Sequence, residues 1–151
     1  MTITIRPAKP YDASNICKML EQAYTEQEGL YPEPSQAMVI SWVTSTIING
    51  YVLVAEKAGR IIGSTAVTDY QFPWSPRWFL SLDWAYVNTK FRRGGTFDGL
   101  MKPIHVLADE KDTPVYAGVS SGKDSLLKDK MLQMKGYQYL GGQFIREPQH
   151  G

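Results

Sequence analysis

Two adjacent glycines separate an apolar segment from an amphipathic one, and this junction constrains the fold more than any other feature of the sequence. Residues 79–87 are rich in aromatic and branched side chains, which predicts a buried strand. Beyond Gly94 and Gly95, apolar residues recur at spacings of three and four, which predicts a helix: Phe97, Leu100, Met101, Ile104 and Leu107. Residues without a Cβ permit positive φ angles. The segment is therefore predicted to form a strand, a tight turn and a helix in succession.

The turn between these two elements has the composition of an anion-binding site. The first amides of a helix have no partner inside the helix, so they can donate hydrogen bonds to a phosphate. Arg92 and Arg93 place positive charge directly before the two glycines. We therefore expect a phosphorylated ligand to bind at Arg92, Arg93, Gly94, Gly95 and Thr96. The alternative is a solvated basic loop that only connects the strand to the helix.

Helices and strands are also predicted on both sides of this segment. Alternating apolar and polar residues indicate strands, and apolar residues three and four apart indicate helices. The predicted elements, in chain order, are a strand at 3–6, a helix capped by Asp12 or Ser14, a helix at 33–49, a hairpin at 51–57 and 60–70, a strand at 114–120, a helix at 124–134, and two short strands split by Gly141-Gly142.

Length and composition predict a single domain over residues 1–151. A chain of 151 residues can bury about two thirds of its unfolded surface, and no linker-like segment divides it. A formal net charge of +1 provides no general attraction to nucleic acid or to a membrane surface. The apolar runs are too short to span a bilayer, and the first residues lack a basic and apolar signal segment. We therefore expect a cytoplasmic protein.

The residues that usually bind metals or act as nucleophiles do not form a recognisable site. Cys17 lies on the apolar stripe of the first helix, where a small buried side chain is the expected role. His105 and His150 have no other metal-ligating residue at a suitable spacing. The sequence also lacks the motifs of a serine hydrolase and of a P-loop kinase. We expect no metal ion.

The strand end and the glycine turn resemble the acetyl-CoA signature of the GCN5-related N-acetyltransferases. In that family an aliphatic strand end precedes Arg/Gln-x-x-Gly-x-Gly/Ala and a helix. The matching residues here are Val87, Phe91, Arg92, Gly95 and Leu100, and a register shifted by one residue matches Arg93 and Gly94 instead. The phrase YVLVAEKAGRIIGSTAV is similar to the family's central hairpin, and Gly136-Tyr137 to the pair that ends its last helix. The resemblance extends over nearly the whole chain.

The resemblance implies an α+β fold of the acyl-CoA N-acyltransferase-like type. Such a fold has three layers, in which helices cover both faces of a mixed and mostly antiparallel sheet that contains one diverging pair of parallel strands. The resemblance also implies acetyl-CoA as the co-substrate. The acceptor would be an amine on a small molecule or on a protein.

Acetyl transfer from a thioester to an amine needs a base, a group that polarises the carbonyl, and stabilisation of the departing thiolate. The resemblance assigns the second role to backbone amides at Tyr86 and Val87. Asp83 is the only acid on the same strand, and its apolar neighbours can raise its pKa towards a useful value. Asp83 is therefore either the catalytic base or one partner of a structural ion pair with a neighbour such as Arg77.

Two positions depart from the family's pattern. Phe97 stands where the family has Gly or Ala beneath the pyrophosphate. Leu132 stands where the family commonly has the tyrosine that protonates the thiolate, and leucine cannot donate a proton. Three alternatives follow: a hydroxyl of Ser120, Ser121 or Ser125 replaces the tyrosine, the thiolate leaves unprotonated with a thiol pKa of about 8.5, or catalysis has been lost. Of these hydroxyls, we count Ser125 among the expected coenzyme contacts.

Two classes of function therefore remain open. The first is an enzyme that moves an acetyl group from acetyl-CoA to an amine. The second is a non-catalytic domain of the same fold that acts as a structural or interaction module. In the second case the aromatic loop of Phe72, Trp74 and Trp78 would contact a protein partner or a second copy of the chain.

Overall fold

A mixed β-sheet forms the centre of the molecule. The computed structural model describes residues 2–27, 31–118, 125–141 and 144–149, apart from the side chains of 125–129. The strands of these residues are β1 (Thr4–Pro7), β2 (Tyr51–Lys57), β3 (Arg60–Gln71), β4 (Trp78–Val87) and β5 (Val115–Tyr116). They lie in the order β1-β2-β3-β4-β5, with β1 to β4 antiparallel and β5 parallel to β4. The mixed, mostly antiparallel sheet that the family resemblance implies is confirmed.

Helices cover both faces of this sheet. Their bounds are α1 (Ala13–Thr25), α2 (Gln36–Asn49), α3 (Thr96–Glu110) and α4 (Ser125–Met134). On one face, called the front face below, Ile16 of α1 and Val43 of α2 pack into one apolar cluster with Trp84 of β4. On the opposite face, the back face, Ile104 of α3 packs against Leu80 of β4. The three-layer arrangement that the family resemblance implies is therefore confirmed.

Local sequence signals explain the ends of the hairpin and of α2. Ala58 and Gly59 have φ angles of 52° and 76°, as in the two-residue turn that best matches the twist of paired strands. The Ser35 hydroxyl accepts a hydrogen bond from the Met38 amide at 3.4 Å and caps α2. Because of this cap, α2 begins at Gln36 rather than at residue 33 as predicted.

Asp12 precedes α1 but does not cap it as expected. Its carboxylate accepts hydrogen bonds from the Arg6 guanidinium at 2.8 and 3.0 Å and from the Lys9 amide at 2.7 Å. The hydrogen bond from Arg6 is the main reason that the pKa of Asp12 lies below its ordinary value. An ion pair that joins β1 to the start of α1 therefore replaces the local cap.

The C-terminal part of the chain differs from the prediction. The fifth strand contains only Val115–Tyr116 instead of spanning 114–120, of which 119 and 120 lie outside the described residues. Neither of the two short strands predicted around Gly141-Gly142 forms in the described residues 137–141 and 144–149. Phe144 is fully exposed and Leu140 is 72% exposed. A strand-like sequence needs a neighbouring strand and a buried face to be stable, and residues 138–141 and 144–149 are all exposed.

Candidate active site

A β-bulge at Asp83 distinguishes the middle of β4 from the rest of the sheet. Ala66 of β3 pairs with Trp84, whereas the next residue, Val67, pairs with Leu82. Asp83 is therefore an extra residue on β4 whose backbone pairs with no residue of β3. Bulges bend a strand and redirect its side chains, and they are common next to active sites.

The Asp83 carboxylate is half-buried and accepts a hydrogen bond from the Thr68 hydroxyl. Burial raises the pKa of Asp83, and the hydrogen bond from Thr68 opposes this shift only in part. No ion pair between described residues includes Asp83, so the alternative that it pairs with Arg77 is wrong. A half-buried carboxylate with no counter-ion among the described residues takes up a proton more readily than a free aspartate does. Its environment therefore suits a general base.

β4 and β5 pair over a short ladder, in which Leu80 pairs with Val115 and Ser81 with Tyr116. From Leu82 to the end of β4, β3 lies on one side and no strand of the described residues lies on the other. The predicted parallel pair is confirmed. Because the ladder is short, backbone N–H and C=O groups of β4 remain available to a ligand at this open edge.

The hydrogen-bond pattern shows which amides of β4 point to the open edge. The Asn88 amide donates to the Ile62 carbonyl of β3 at 2.8 Å. Since N–H directions alternate along a paired strand, the Tyr86 amide also points to β3, whereas the Ala85 and Val87 amides point away from it. Sequence reasoning identified Tyr86 and Val87. The register instead leaves the amides of Ala85 and Val87 pointing to the open edge, where a ligand could accept their hydrogen bonds.

The turn before α3 has the geometry of an anion site. Gly94 and Gly95 have φ angles of 98° and 84°, which a residue with a Cβ adopts only with strain. No other part of the described structure lies within 4 Å of the place where a Cβ would stand at either glycine. Gly95 is also the N-cap residue of α3, and no side chain there satisfies the first amides of the helix. These amides therefore lack a side-chain cap among the described residues.

Thr96, the first residue of α3, carries an unsatisfied hydroxyl. Its side chain is buried, with 2% exposed, and its Oγ1 has no hydrogen-bond partner among the described residues. Leaving a buried polar group unpaired costs about 1–3 kcal/mol, so its presence calls for a physical explanation. A phosphate oxygen bound at the N-terminus of α3 would accept the missing hydrogen bond.

The Arg92 side chain turns away from the glycines. Its Nε donates to the Val87 carbonyl at 2.8 Å, and its Nη2 donates to both carboxylate oxygens of Glu26 at 3.1 and 2.9 Å. The guanidinium also lies 5.1 Å from the centre of the Tyr86 ring. Arg92 therefore joins β4 to the end of α1. Arg93 is exposed and takes part in no ion pair of the described residues, so its charge is available to a ligand.

Glu26 belongs to the site although nothing in the sequence indicated it. Besides its ion pair with Arg92, it accepts a hydrogen bond from the Tyr86 hydroxyl at 3.4 Å. Burial, followed by the negative charge of Glu26, raises the pKa of Tyr86. Because 66 residues separate Glu26 from Arg92, no local pattern could have revealed this contact.

Phe97, the first departure from the family's pattern, is accommodated by the core. Its ring packs against the back-face cluster that contains Val87 and Leu100. The ammonium group of Lys135 lies 5.8 Å from the ring centre and forms an ion pair with Asp98. The ring is therefore directed to the apolar core.

Leu132, the second departure, is half-buried in α4, and its carbonyl accepts a hydrogen bond from the Tyr137 amide at 3.1 Å. The hydroxyls expected to replace the family's tyrosine lie outside the described residues or have side chains outside them: Ser120, Ser121 and Ser125. The Tyr137 hydroxyl lies 2.8 Å from Nε2 of His105. Burial raises the pKa of Tyr137. This pair was not identified from the sequence, because nothing local relates α3 to the residue that follows α4.

Cys17 is half-buried on α1 and packs against the front-face cluster, as expected from the sequence. Burial is the main cause that raises the pKa of its thiol. In the part of the chain that the structure describes, no three His, Cys, Asp or Glu side chains come together as a metal site would require. No helix in that part is both long and apolar enough to cross a membrane.

Neither a family model nor a curated protein matches this chain, but solved structures are similar to it. A possible acetyltransferase from Clostridium difficile 630 is 21% identical, with a TM-score of 0.74 over 99% of this chain and 100% of that one. A predicted acetyltransferase from Clostridium acetobutylicum, solved with acetyl-CoA, is 16% identical, with a TM-score of 0.77 over 97% and 96% of the two chains. An aminoglycoside acetyltransferase, meta-AAC0020, from an uncultured soil metagenomic sample, solved with sisomicin, is 15% identical, with a TM-score of 0.69 over 97% of each chain. At these identities the similarity shows the fold, which is the acyl-CoA N-acyltransferase-like fold.

Proposed function

We propose that this chain, as one domain over residues 1–151, is an N-acetyltransferase that uses acetyl-CoA. The observation that carries the proposal is the buried, unsatisfied Thr96 hydroxyl at the uncapped N-terminus of α3, directly after Gly94 and Gly95. The strand that leads to this turn also carries the half-buried Asp83. A solved structure with the same fold contains acetyl-CoA, which supports a coenzyme as the anion.

The residues at the turn fit the pyrophosphate of a coenzyme. The first amides of α3 and the Thr96 hydroxyl would hydrogen-bond to its oxygens, and Arg93 would add charge. Arg92 would contact the pyrophosphate through its main chain, because its side chain donates hydrogen bonds to Glu26 and to the Val87 carbonyl. Ser125 remains a proposed contact. The coenzyme supplies the thioester whose acetyl group is transferred.

Asp83 is the proposed general base. An acceptor ammonium that reaches the carboxylate gives up one proton to it, and burial favours this transfer because it raises the pKa of Asp83. The hydrogen bond from Thr68 orients the carboxylate. The freed amine nitrogen would then form a bond to the acetyl carbon while the carbon–sulfur bond breaks and sulfur keeps the electron pair. The nitrogen would release its second proton to water as the amide forms, and Asp83 would return its own proton to solvent before the next cycle. The amides of Ala85 and Val87 at the open edge of β4 would polarise the carbonyl that the nitrogen attacks.

The departing thiolate receives no proton from position 132 in this proposal. Leu132 has no exchangeable proton on its side chain. The thiol has a pKa of about 8.5, so a thiolate is a tolerable leaving group near neutral pH. The protein therefore contributes most to the other two steps, namely deprotonation of the amine and polarisation of the carbonyl.

Ligand-dependent stabilisation tests the proposal. A ligand that binds only the folded state raises stability by about 2.7 kcal/mol at a concentration of 100 Kd. We expect acetyl-CoA and coenzyme A to raise the melting temperature, and ATP at the same concentration to leave it nearly unchanged. Release of free thiol from acetyl-CoA in the presence of primary amines then measures the transfer itself. If neither coenzyme form stabilised the protein, the coenzyme site would be refuted.

A second candidate function is a non-catalytic module of the same fold. The observations that favour it are Leu132 at the position of the proton donor and the exposed Trp74 and Trp78, which are 77% and 53% exposed. Thiol release from acetyl-CoA distinguishes the two candidate functions. Coenzyme binding without thiol release across a broad panel of amines would favour the module.

A further inference from the structure

Aromatic side chains form a continuous surface on the front face where β3 ends and β4 begins. This surface, called the aromatic platform below, consists of Tyr70, Phe72, Trp74, Phe79 and Tyr116. Neighbouring ring centres lie between 4.5 and 6.3 Å apart. Phe79 is buried at the centre of the platform, whereas Tyr70 is 47% and Trp74 is 77% exposed. The platform is therefore packed on its inner side and open to solvent on its outer side.

The platform lies on the same side of the sheet as Asp83. Along β3, side chains alternate between the faces, so Thr68 and Tyr70 share one face and are about 7 Å apart. Thr68 holds the Asp83 carboxylate, and Tyr70 pairs with Phe79 in the sheet and stacks against its ring. The platform therefore begins about 7 Å along β3 from the residue that holds the proposed base.

Trp84 marks the limit of the part of the front face that α1 and α2 cover. It is 6% exposed and packs edge-on against Trp42 of α2, with ring centres 5.1 Å apart. Its Nε1 donates to the Ser64 hydroxyl at 3.0 Å. Asp83, the preceding residue, lies between this covered part and the open platform. A molecule that reaches Asp83 from the front face therefore meets the platform.

The charges near the platform fit a single cationic group. The strands β3, β4 and β5 carry two carboxylates, Asp69 and Asp83. Asp69 accepts hydrogen bonds from the Lys111 ammonium at 3.0 and 3.3 Å, and alternation along β3 places it on the back face. Asp83 is therefore the one carboxylate of these strands that can receive an ammonium group. A polyamine has several ammonium groups to pair, whereas an aromatic ring stacks favourably on the platform.

We propose that the aromatic platform binds the acceptor, and that the acceptor is a primary amine joined to an aromatic ring by a short carbon linker. The ring stacks on Tyr70 and Trp74 while the nitrogen lies at Asp83. The separation of about 7 Å between the platform and the Thr68–Asp83 pair sets the linker length. The inference rests on the proposed function, because Asp83 must accept the proton of the amine before transfer.

Substitutions on the two faces of the same hairpin test the inference. The test variants are Tyr70→Ala and Trp74→Ala, and the matched control is Trp78→Ala. Trp78 is 53% exposed, but it precedes Phe79 on β4 and lines a back-face cavity with Asp69 and Lys111. The probes are phenethylamine, n-hexylamine and spermidine. We measure kcat and KM by thiol release, and the Kd of phenethylamine by calorimetry with and without coenzyme A.

We expect phenethylamine to have a kcat/KM at least about tenfold higher than that of n-hexylamine or spermidine. Tyr70→Ala and Trp74→Ala should each raise its KM and Kd by about tenfold with little change in kcat, since they remove binding that the ground state and the transition state share. Trp78→Ala should leave all three values unchanged. None of these variants should alter the affinity for coenzyme A.

Several results would overturn the inference while the proposed function stands. These are a preference for spermidine, equal effects of Trp74→Ala and Trp78→Ala, or a dimer that Trp74→Ala dissociates in analytical ultracentrifugation, since a second copy would then occupy the platform. Failure of the proposed function is distinguishable, because it appears as a lack of coenzyme binding or of thiol release. Calorimetry of phenethylamine with the free protein still reports on the platform in that case.

Discussion

The carboxylate of Asp83 is half-buried, so its ionised form is less stable in the folded protein than in water. An acid whose pKa rises on folding contributes stability that is fully present below its ordinary pKa of 3.8 and is lost as pH rises through the raised pKa. Asp83→Asn removes this loss. We expect the variant to be more stable than the wild type at neutral pH and nearly equal to it at about pH 3. Urea unfolding at both pH values measures the difference, and a gain that is the same at both would contradict the assignment.

The same substitution tests the catalytic role of Asp83. Asn keeps the shape of the side chain but cannot accept the proton, so we expect the acetylation rate to fall by about two to four orders of magnitude. The Kd of coenzyme A should not change. Asp69→Asn is the matched control, because Asp69 is the other carboxylate on these strands and pairs with Lys111. A rate for Asp83→Asn that equals the wild-type rate would exclude Asp83 as the base.

Thr96→Val tests the anion site at the scale of one hydroxyl. The substitution keeps the branched shape and removes a buried group that has no partner among the described residues. We expect the free protein to be as stable as the wild type or more stable, and the affinity for coenzyme A to fall at least about tenfold. Thr65→Val is the control, since the Thr65 hydroxyl is buried but donates to the Leu100 carbonyl at 3.4 Å. The control should lose stability and keep its affinity, so equal coenzyme Kd values for Thr96→Val and wild type would refute the site.

At the scale of elements, the consecutive residues Arg92 and Arg93, which lie between β4 and α3, differ in their contacts. Arg92 links the turn to Glu26 at the end of α1, although 39% of its side chain is exposed. We expect Arg92→Gln to lower the free energy of unfolding by up to about 1 kcal/mol, the range of exposed ion pairs. Arg93→Gln should leave stability unchanged but weaken coenzyme binding and reduce its salt dependence. Urea unfolding measures the stability of both variants, and calorimetry at two salt concentrations measures their coenzyme binding. Equal changes in stability and in coenzyme affinity for the two variants would contradict these expectations.

The short ladder between β4 and β5 leads to a second prediction at this scale. It leaves the Ala85 and Val87 amides at an open edge, whereas the Tyr86 amide points to β3. In hydrogen exchange, we expect Tyr86 to be protected with and without ligand. Ala85 and Val87 should gain protection only when acetyl-CoA is bound. Protection of Ala85 and Val87 in the free protein equal to that of Tyr86 would show that the edge is already paired.

At the scale of the whole molecule, the sheet brings together groups that belong to different layers. The proposed anion site lies at the N-terminus of α3, which covers the back face, while Asp83 and the aromatic platform belong to the front face. The open edge of β4 connects them, because β5 pairs with only two of its residues. In the proposed function, a coenzyme and an acceptor would approach from opposite sides of the sheet and meet at this edge.

The sequence by itself determined the order of the elements, the hairpin at Ala58-Gly59 and the strand, glycine turn and helix around Gly94 and Gly95. These features depend on periodicity and on backbone angles, which neighbouring residues encode. The resemblance to a known family added the parallel strand pair and the candidate base Asp83.

Only the tertiary structure decided the partners of these residues. The contact of Arg92 with Glu26 joins residues far apart in the chain. The contact of Asp83 with Thr68 depends on strand register, and so does the direction of the backbone amides, because the Ala85 amide points to the open edge and the Tyr86 amide to β3. The two predicted C-terminal strands do not form in the described residues because strand propensity stabilises a segment only where a neighbouring strand and a buried face are available.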